Sequence, residues 1–471
     1  MVTADNPTAT SRMTTRQRLV LALLLTASFT LAVDFSILNV ALPKIGSDIG
    51  FSLANLQWIA TTFALCAAGF TLLFGRVADL FGRRRLFLTG MTLLGIASLV
   101  GGLAPNPPVL LVARVAQGLA TAAVTPAALS LLTTSFPEGK LRDKALGLNG
   151  ALMAAGFTTG AILGGLLTDL LTWRWAFFIN VPVAGLVVLI GPSVIAESRP
   201  TNRPRLDLPG AVSVTIGLLA IVFGLTQAGE HSWTAPVTLL SLVVGVISLV
   251  VFVVVEKRVA NPLVPMSILR RNAVSNLAGL LAFATETSLV FLLTLYLQKV
   301  LGFTPLATGL SFAVLGAGTV LGGVLAPKLI GRVGAKNALM MGLVGQAVAT
   351  LPLVLLGPSV QWVLLLLATF VGGVANLVAI VGFMVTATST LPDREQGLAG
   401  GLATMSQQIG ITVGIPLMST VVAGRVAALG GETSATLLTG ITAAIWVDVV
   451  LCLGAAVFVG VFLSRAGGLE G

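Results

Sequence analysis

Apolar runs of about twenty residues alternate with short polar connections along almost the whole chain. A helix that crosses a bilayer needs about 20 mostly apolar residues. On that rule the pattern predicts helices near 19–43, 54–76, 86–104, 108–130, 146–170, 175–196 and 208–229. Seven more follow near 235–255, 273–298, 305–327, 337–357, 361–388, 398–423 and 437–463. The expected fold is an all-α integral membrane protein with 14 transmembrane helices. Residues 1–18 are polar, carry Arg12, Arg16 and Arg18, and are read as a disordered tail. The run from Leu19 to Pro43 is longer than a signal-peptide core and contains Asp34, so it is read as an uncleaved first span.

Composition sharpens this picture. Hydrophobic residues make up 56% of the chain and charged residues 9%, more apolar surface than a soluble core needs. Cys66 and Cys452 both sit in apolar runs, and His231 is the single histidine. No disulfide framework, metal site or cofactor is expected from them. The net charge of +10 raises the question of nucleic acid, and its distribution answers it. With both termini on one side, that side holds 22 of the 27 lysines and arginines. The other side holds four, Lys44, Arg174, Lys299 and Arg425, and Arg114 lies within a span. Cationic connections stay in the cytoplasm, so both termini are expected there. The excess of arginine over lysine, with abundant Ala, Gly and Val, points to a bacterial cytoplasmic membrane.

The chain also repeats itself. An offset of 252 residues superposes Gly82 on Gly334, Arg76 on Lys328, Arg84 on Lys336 and Asp34 on Glu286. An offset of 254 superposes Gly147, Gly156 and Gly160 on Gly401, Gly410 and Gly414. Transporter folds are often built from such halves. The expected division is a six-helix bundle over 19–200, an inserted helix pair with linkers over 201–260, and a second six-helix bundle over 261–471 with a short cytoplasmic tail.

Several motifs then carry a family resemblance. Gly75-Arg-Val-Ala-Asp79-Leu-Phe-Gly82-Arg83-Arg84-Arg85 resembles the loop between spans 2 and 3 of major facilitator superfamily transporters. Val77 stands where that pattern usually has Leu, and Leu80 where it often has a basic residue. Asp34-x-x-x-x-Asn39-Val-Ala-Leu-Pro43 is similar to the first-span signature of the fourteen-span drug:proton antiporter group. Arg114-x-x-Gln117-Gly118 resembles the family's conserved-arginine motif. Gly156-x-x-x-Gly160-Ala161-x-x-Gly164-Gly165 resembles the antiporter motif, with Ala161 in place of its usual proline. Trp173-Arg174-Trp175-Ala-Phe177-Phe178-Ile-Asn180-Val-Pro182 is similar to the start of span 6 in that group.

The resemblance implies a cytoplasmic gate made by Gly75, Asp79, Gly82, Arg83 and Arg84. Asp79 is expected to cap the helix that begins near Arg83 and to pair with an arginine across the halves, the alternative being a solvated loop acid. Gly156, Gly160 and Gly164 put a flat stripe on one helix face, which serves either plain packing or a sliding seam between the halves.

Four ionisable residues fall inside spans: Asp34, Arg114, Glu286 and Asp448. Each costs about 2.5–3.5 kcal/mol on insertion scales, so each is expected to be paired or functional. Asp34 lies nine residues before Pro43 and Arg114 six after Pro108, depths that differ by about 5 Å at 1.5 Å per residue. The two are therefore expected to interact, either as a working pair or as a static one. Glu286 has no basic residue in its span and suits a carboxyl that loads and releases a proton, or an acid bonded to a neighbour. Asp448 is read as a helix–helix hydrogen bond. Asn39, Gln117, Gln407, Gln408, Phe35 and Phe283 are candidates to line a cavity.

The function expected is a proton-coupled exporter of drugs or toxic compounds that works by alternating access. Its substrate is small and lipophilic, with cations among the options, and the chain is read as a monomer. Proton-coupled export or uptake of a specific endogenous metabolite, antibiotic or lipid is the alternative, left open by Ala161. A membrane-embedded enzyme on lipid-linked substrates is more distant, because the connections on the sparsely charged side are short and poor in clustered polar groups. No phosphate-binding G-x-x-x-x-G-K-[ST] run is present, so ATP is not the energy source expected.

Overall fold

The computed structural model describes residues 13–51, 53–56, 58–136, 140–197, 207–230, 232–259, 262, 266–389 and 393–466. Residues 1–12 of the expected 1–18 tail, the linker arginines Arg199, Arg203 and Arg205, and His231 lie outside the described residues, and residues 15–18 of that tail form the first turn of a helix instead. Among the described residues there are sixteen α-helices and no strand. They are α1 (Thr15–Ile49), α2 (Leu53–Leu56), α3 (Trp58–Phe81), α4 (Arg83–Gly102), α5 (Pro107–Ser135), α6 (Lys140–Leu170), α7 (Trp175–Phe178) and α8 (Asn180–Val194). There follow α9 (Leu208–Glu230), α10 (Pro236–Glu256), α11 (Met266–Leu295), α12 (Pro305–Val333), α13 (Ala335–Thr350), α14 (Trp362–Ser389), α15 (Asp393–Ala428) and α16 (Ser434–Ala466). A π turn, Tyr296–Val300, continues α11, and a 3₁₀ turn, Leu351–Leu355, continues α13.

Twelve helical segments among the described residues are long and apolar enough to cross a membrane. Helices α3 and α6, of 24 and 31 residues, also have the length, but α3 carries a shorter apolar stretch, Trp58–Thr71. Helix is the only form a single span can take in oil, since every backbone N–H and C=O is then satisfied within the segment.

Local sequence sets the helix ends. Thr14 and Gln17 form a reciprocal capping box at α1. Asn106 accepts from the Val109 N–H at 3.2 Å, with Pro107 and Pro108 in the first turn of α5. Gly82 and Gly334, the pair related by the 252-residue offset, both have positive φ, +109° and +82°. Each ends one helix and starts the next in a conformation that glycine adopts without a side-chain penalty. Pro43 was expected at the end of the first span, but α1 runs on to Ile49. The apolar zone ends at Pro43 because Lys44 and Asp48 follow, while the helix itself continues.

The glycine stripe of α6 packs against α1. A Cβ on Gly156 would lie 2.9 Å from the Phe29 carbonyl oxygen, and one on Gly160 2.7 Å from that of Val33. One on Gly164 would strike the Ile37 oxygen. Gly410 and Gly414 of α15 meet the Leu280 and Ala284 carbonyls of α11 in the same way. The stripe thus joins helices of the same predicted half. Gly165 points elsewhere, to Pro305 and Gly309 of α12.

Helices α9 and α10 pack on each other through Gly217, Gly224 and Gly245. Helix α9 also lies against both α3 and α15: Thr215 donates to the Gly69 carbonyl at 2.7 Å, and Thr420 donates to the Leu225 carbonyl at 3.1 Å. One large apolar core joins α1 (Ile37, Leu38, Ile45) to α11, α12 and α16 (Leu293, Phe312, Ile445). A separate core, toward the Arg83–Arg85 end, is confined to α1, α3, α4, α5, α6 and α8, with Phe87, Val124 and Val187 at its centre.

Candidate functional site

The structure brings Asp34 of α1 and Arg114 of α5 together. Their charged atoms lie 3.3 Å apart, and both side chains are 1% exposed. Asp34 Oδ1 also accepts from Gln117 Nε2 at 3.0 Å and from Asn180 Nδ2 of α8. Ser98 of α4 accepts from Gln117 at 2.9 Å and from Asn180 at 3.2 Å. Arg114 donates through Nε to the Ile59 carbonyl at 3.0 Å and through Nη1 to Gln117 Oε1 at 2.9 Å. Its guanidinium rests 4.1 Å above the Phe63 ring. Every polar partner of Asp34 is therefore a donor, one of them a full cation. An unpaired charge would be costly here, and the network supplies what an acid and a base need out of water.

Aromatic rings adjoin this network. Phe35 lies 5.9 Å from both Phe63 and Phe157, centroid to centroid. Phe283 of α11 packs in the same apolar group as Phe63 and Ala64. Asn39 is buried, and its amide nitrogen has no hydrogen-bond partner among the described residues. Gln407 and Gln408 are half-buried on α15. Gln117, expected to line a cavity, is instead fully buried within the Asp34 network. Hydrogen bonds to two helices besides its own hold it there.

Glu286 sits on α11, half-buried, with no hydrogen bond or ion pair among the described residues. Asp448 is buried on α16 and meets Ser288 of α11 at 3.3 Å. The two acids of the predicted second half are therefore not in one network with Asp34.

At the arginine-rich end, Gly75 faces Pro126 of α5 and Arg83 is half-buried. Asp79 lies in the last turn of α3, and its side chain, with the expected capping role, lies outside the described residues. The cap that is described at α4 comes from Glu197: its Oε1 accepts from the Arg84 N–H at 3.1 Å. Arg84 also donates to the Ile195 and Pro192 carbonyls, and Arg16 to that of Val194. Cations thus satisfy the open C-terminal end of α8, where the helix dipole favours them.

Sequence reasoning did not assign Ser98, Asn180 or Glu197 a role. Ser98 stood alone in an apolar helix, and Asn180 lay in the Trp173–Pro182 motif without a role of its own. Glu197 stood just past the sixth predicted span, outside any quoted motif.

Comparison with known proteins follows the same line. The profile of the Major Facilitator Superfamily matches residues 24–415. The puromycin resistance protein pur8 of Streptomyces alboniger is 38% identical over 415 residues, covering 87% of this chain and 82% of its own. The cephamycin export protein CmcT of Amycolatopsis lactamdurans is 37% identical over 416 residues, covering 85% and 84%. The crystal structure of the human organic anion transporter MFSD10 has 15% identity and a TM-score of 0.61, covering 94% of this chain and 99% of that one. It shares the fold. A buried acid–arginine network on packed spanning helices, a profile matched over most of the length and extensive identity to named exporters lead to one assignment: this chain belongs to the Major Facilitator Superfamily.

Proposed function

We propose that the protein exports small lipophilic compounds from a bacterial cell in exchange for protons. The observation that carries this reading is the Asp34–Arg114 pair, buried at 3.3 Å with Gln117, Ser98 and Asn180 around it. A carboxylate so placed holds four helices in one arrangement. A proton arriving on Asp34 cancels the charge that holds Arg114 and frees α1 and α5 to move. Glu286, without a cation, serves as the coupling carboxylate of the second half. The aromatic rings of Phe35, Phe63 and Phe283 offer the lipophilic cargo an apolar surface next to this switch.

The architecture we infer has fourteen spans: two six-helix halves, with α9 and α10 inserted between them, and both termini in the cytoplasm of a monomer. The matched glycine contacts on α1 and α11 support the halves. The apolar core shared by α1, α11 and α12 supports a conformation shut on the outer side. One charge crossing 100 mV supplies about 2.3 kcal/mol, enough for roughly a fifty-fold gradient of a neutral substrate per proton.

Whether the cargo is one antibiotic or many is a second question. The names of two relatives each carry a single compound, puromycin and cephamycin, while that of a third, Stp of Mycobacterium tuberculosis, reads multidrug resistance. Inverted membrane vesicles that overproduce the protein are expected to accumulate puromycin and to lose it on adding an uncoupler. Glu286→Gln is expected to abolish uphill accumulation while leaving downhill flux. Accumulation that survives the uncoupler would sink the reading.

A further inference from the structure

Asp448 has a more demanding environment than a helix–helix contact requires. Its side chain is 0% exposed, and its Oδ2 has no hydrogen-bond partner among the described residues. Its Oδ1 lies 3.3 Å from the Ser288 hydroxyl oxygen. A serine has one hydroxyl hydrogen, and the carbonyl of Ala284, one turn back, is nearer at 2.7 Å. The Ser288 hydroxyl, the donor to Asp448, also faces the Ala284 and Thr285 carbonyls, so a charged Asp448 would have only a share of one hydrogen bond to hold it.

The surroundings agree. Thr285, Gln346, Asn376 and Cys452 are all at most 2% exposed. Gln346 donates to Thr285 at 3.0 Å, and Asn376 donates to Gln346 at 3.2 Å. No cation among the described residues pairs with Asp448. On α11, Glu286 is not bonded to it, and Arg270 and Arg271 lie at the far end. On α13, Lys336 donates to the Gly460 carbonyl. Tyr296, in the π turn, donates to the Gly357 carbonyl, and Lys299 and Arg425 are exposed. Cys452, one turn along α16, hydrogen-bonds Thr285. A carboxylate here would be a charge in oil with nothing to offset it.

The cluster has a counterpart. Asp34, Ser98, Gln117 and Asn180 stand on α1, α4, α5 and α8. Ser288, Gln346, Asn376 and Asp448 stand on α11, α13, α14 and α16, the first, third, fourth and sixth spans of the proposed second half. The acid has moved from the first of these helices to the last, and the arginine is missing. Helix α11 also reaches the other half, through Gln298 in its π turn, which donates to the Val40 carbonyl at 2.8 Å. Ser288 stands ten residues before Gln298 along the same continuous helix.

We propose that Asp448 is a second proton-binding site, loaded in this conformation and emptied when α11 shifts. The proton is taken from water on one face and returned to water on the other, and no other bond changes. This rests on the reading of the protein as proton-driven.

The test uses the full chain reconstituted in lipid. At pH 7, the infrared difference between the unaltered protein and Asp448→Asn is expected to show an un-ionised carboxyl that shifts in heavy water. A carboxylate signature instead would overturn the proposal, and this measurement needs no cargo. In proteoliposomes with an imposed pH gradient, Asp448→Asn is expected to lose puromycin accumulation at least tenfold, with Asp448→Glu partly restoring it. Accumulation at the unaltered level in Asp448→Asn would also overturn it. Failure of the exporter reading shows separately, as no accumulation by the unaltered protein, and the infrared result then decides the site.

Discussion

Glu197, at the end of the sixth predicted span, accepts a hydrogen bond at 3.1 Å from the backbone N–H of Arg84, at the start of the third. The same carboxylate lies 3.8 Å from Arg84 Nε and 4.0 Å from Arg85 Nε. An acid from one helix end thus closes another and anchors the arginine run. Loss of an N-cap costs about 0.5–2 kcal/mol. Glu197→Ala is expected to lower the thermal unfolding midpoint of the detergent-solubilised protein, with Glu197→Gln recovering part of the loss. An unchanged midpoint in Glu197→Ala would show the cap to be idle.

The Asp34–Arg114 pair predicts a strong asymmetry between single and double substitutions. Asp34→Asn leaves a buried guanidinium without its anion, a loss of about 3–5 kcal/mol. Asp34→Asn with Arg114→Gln removes both charges and is expected to recover at least half of that stability. Neither variant is expected to export against a gradient. Arg114→Lys is expected to lose drug-dependent proton release, because an ammonium lacks the fork that reaches the Ile59 carbonyl and Asp34 together. Proton release at the unaltered level in Arg114→Lys would mark the pair as static. Unfolding midpoints and proton release on adding puromycin measure these outcomes.

The glycines of α6 divide by what they face. Gly160→Val would push α6 off the Val33 carbonyl of α1 and is expected to cost about 1–3 kcal/mol or more in stability. Gly165→Val meets Pro305 and Gly309 of α12, across the proposed halves. It is expected to slow turnover more than it lowers the unfolding midpoint. Expression level, midpoint and transport rate separate the two, and equal effects of both substitutions would refute the division.

Gln298 ties α11 to α1 through the Val40 carbonyl. Gln298→Leu removes one hydrogen bond, about 1 kcal/mol, or roughly a fivefold shift toward the outward-open population. Spin labels on cysteines at the exposed positions of Lys44 and Lys299 are expected to show a larger share of long distances. An unchanged distance distribution would mean that the bond does not bias the conformation.

How much of this was legible in the sequence varies with the kind of residue. Asp34 and Arg114 could be matched because proline, lysine and aspartate mark where the chain leaves the apolar layer, and depth is conserved between helices. Pro43 served as that marker even though α1 continues beyond it. Which helix faces which is not written in one apolar helix, so Ser98 and Asn180 gave no sign that they share Asp34 as a neighbour. The glycine spacing showed a close approach but not the partner, and the partner of the stripe proved to be α1. The offset between Gly82 and Gly334 was legible because a positive φ at both helix junctions demands the same residue. Glu197 was opaque because its role depends on where a helix 113 residues earlier begins.

Helix α9 has one further consequence. Its hydrogen bonds run to α3 on one side and α15 on the other, so that flank of the molecule is buckled by a third helix. Where α6 meets α12, Gly165 lies against Pro305 and Gly309 backbone to backbone, and the Thr158 side chain fills the space beside Gly316. A compound dissolved in the bilayer would then meet two unlike sides: one fastened by a third helix, and one where glycines bring two helices close together.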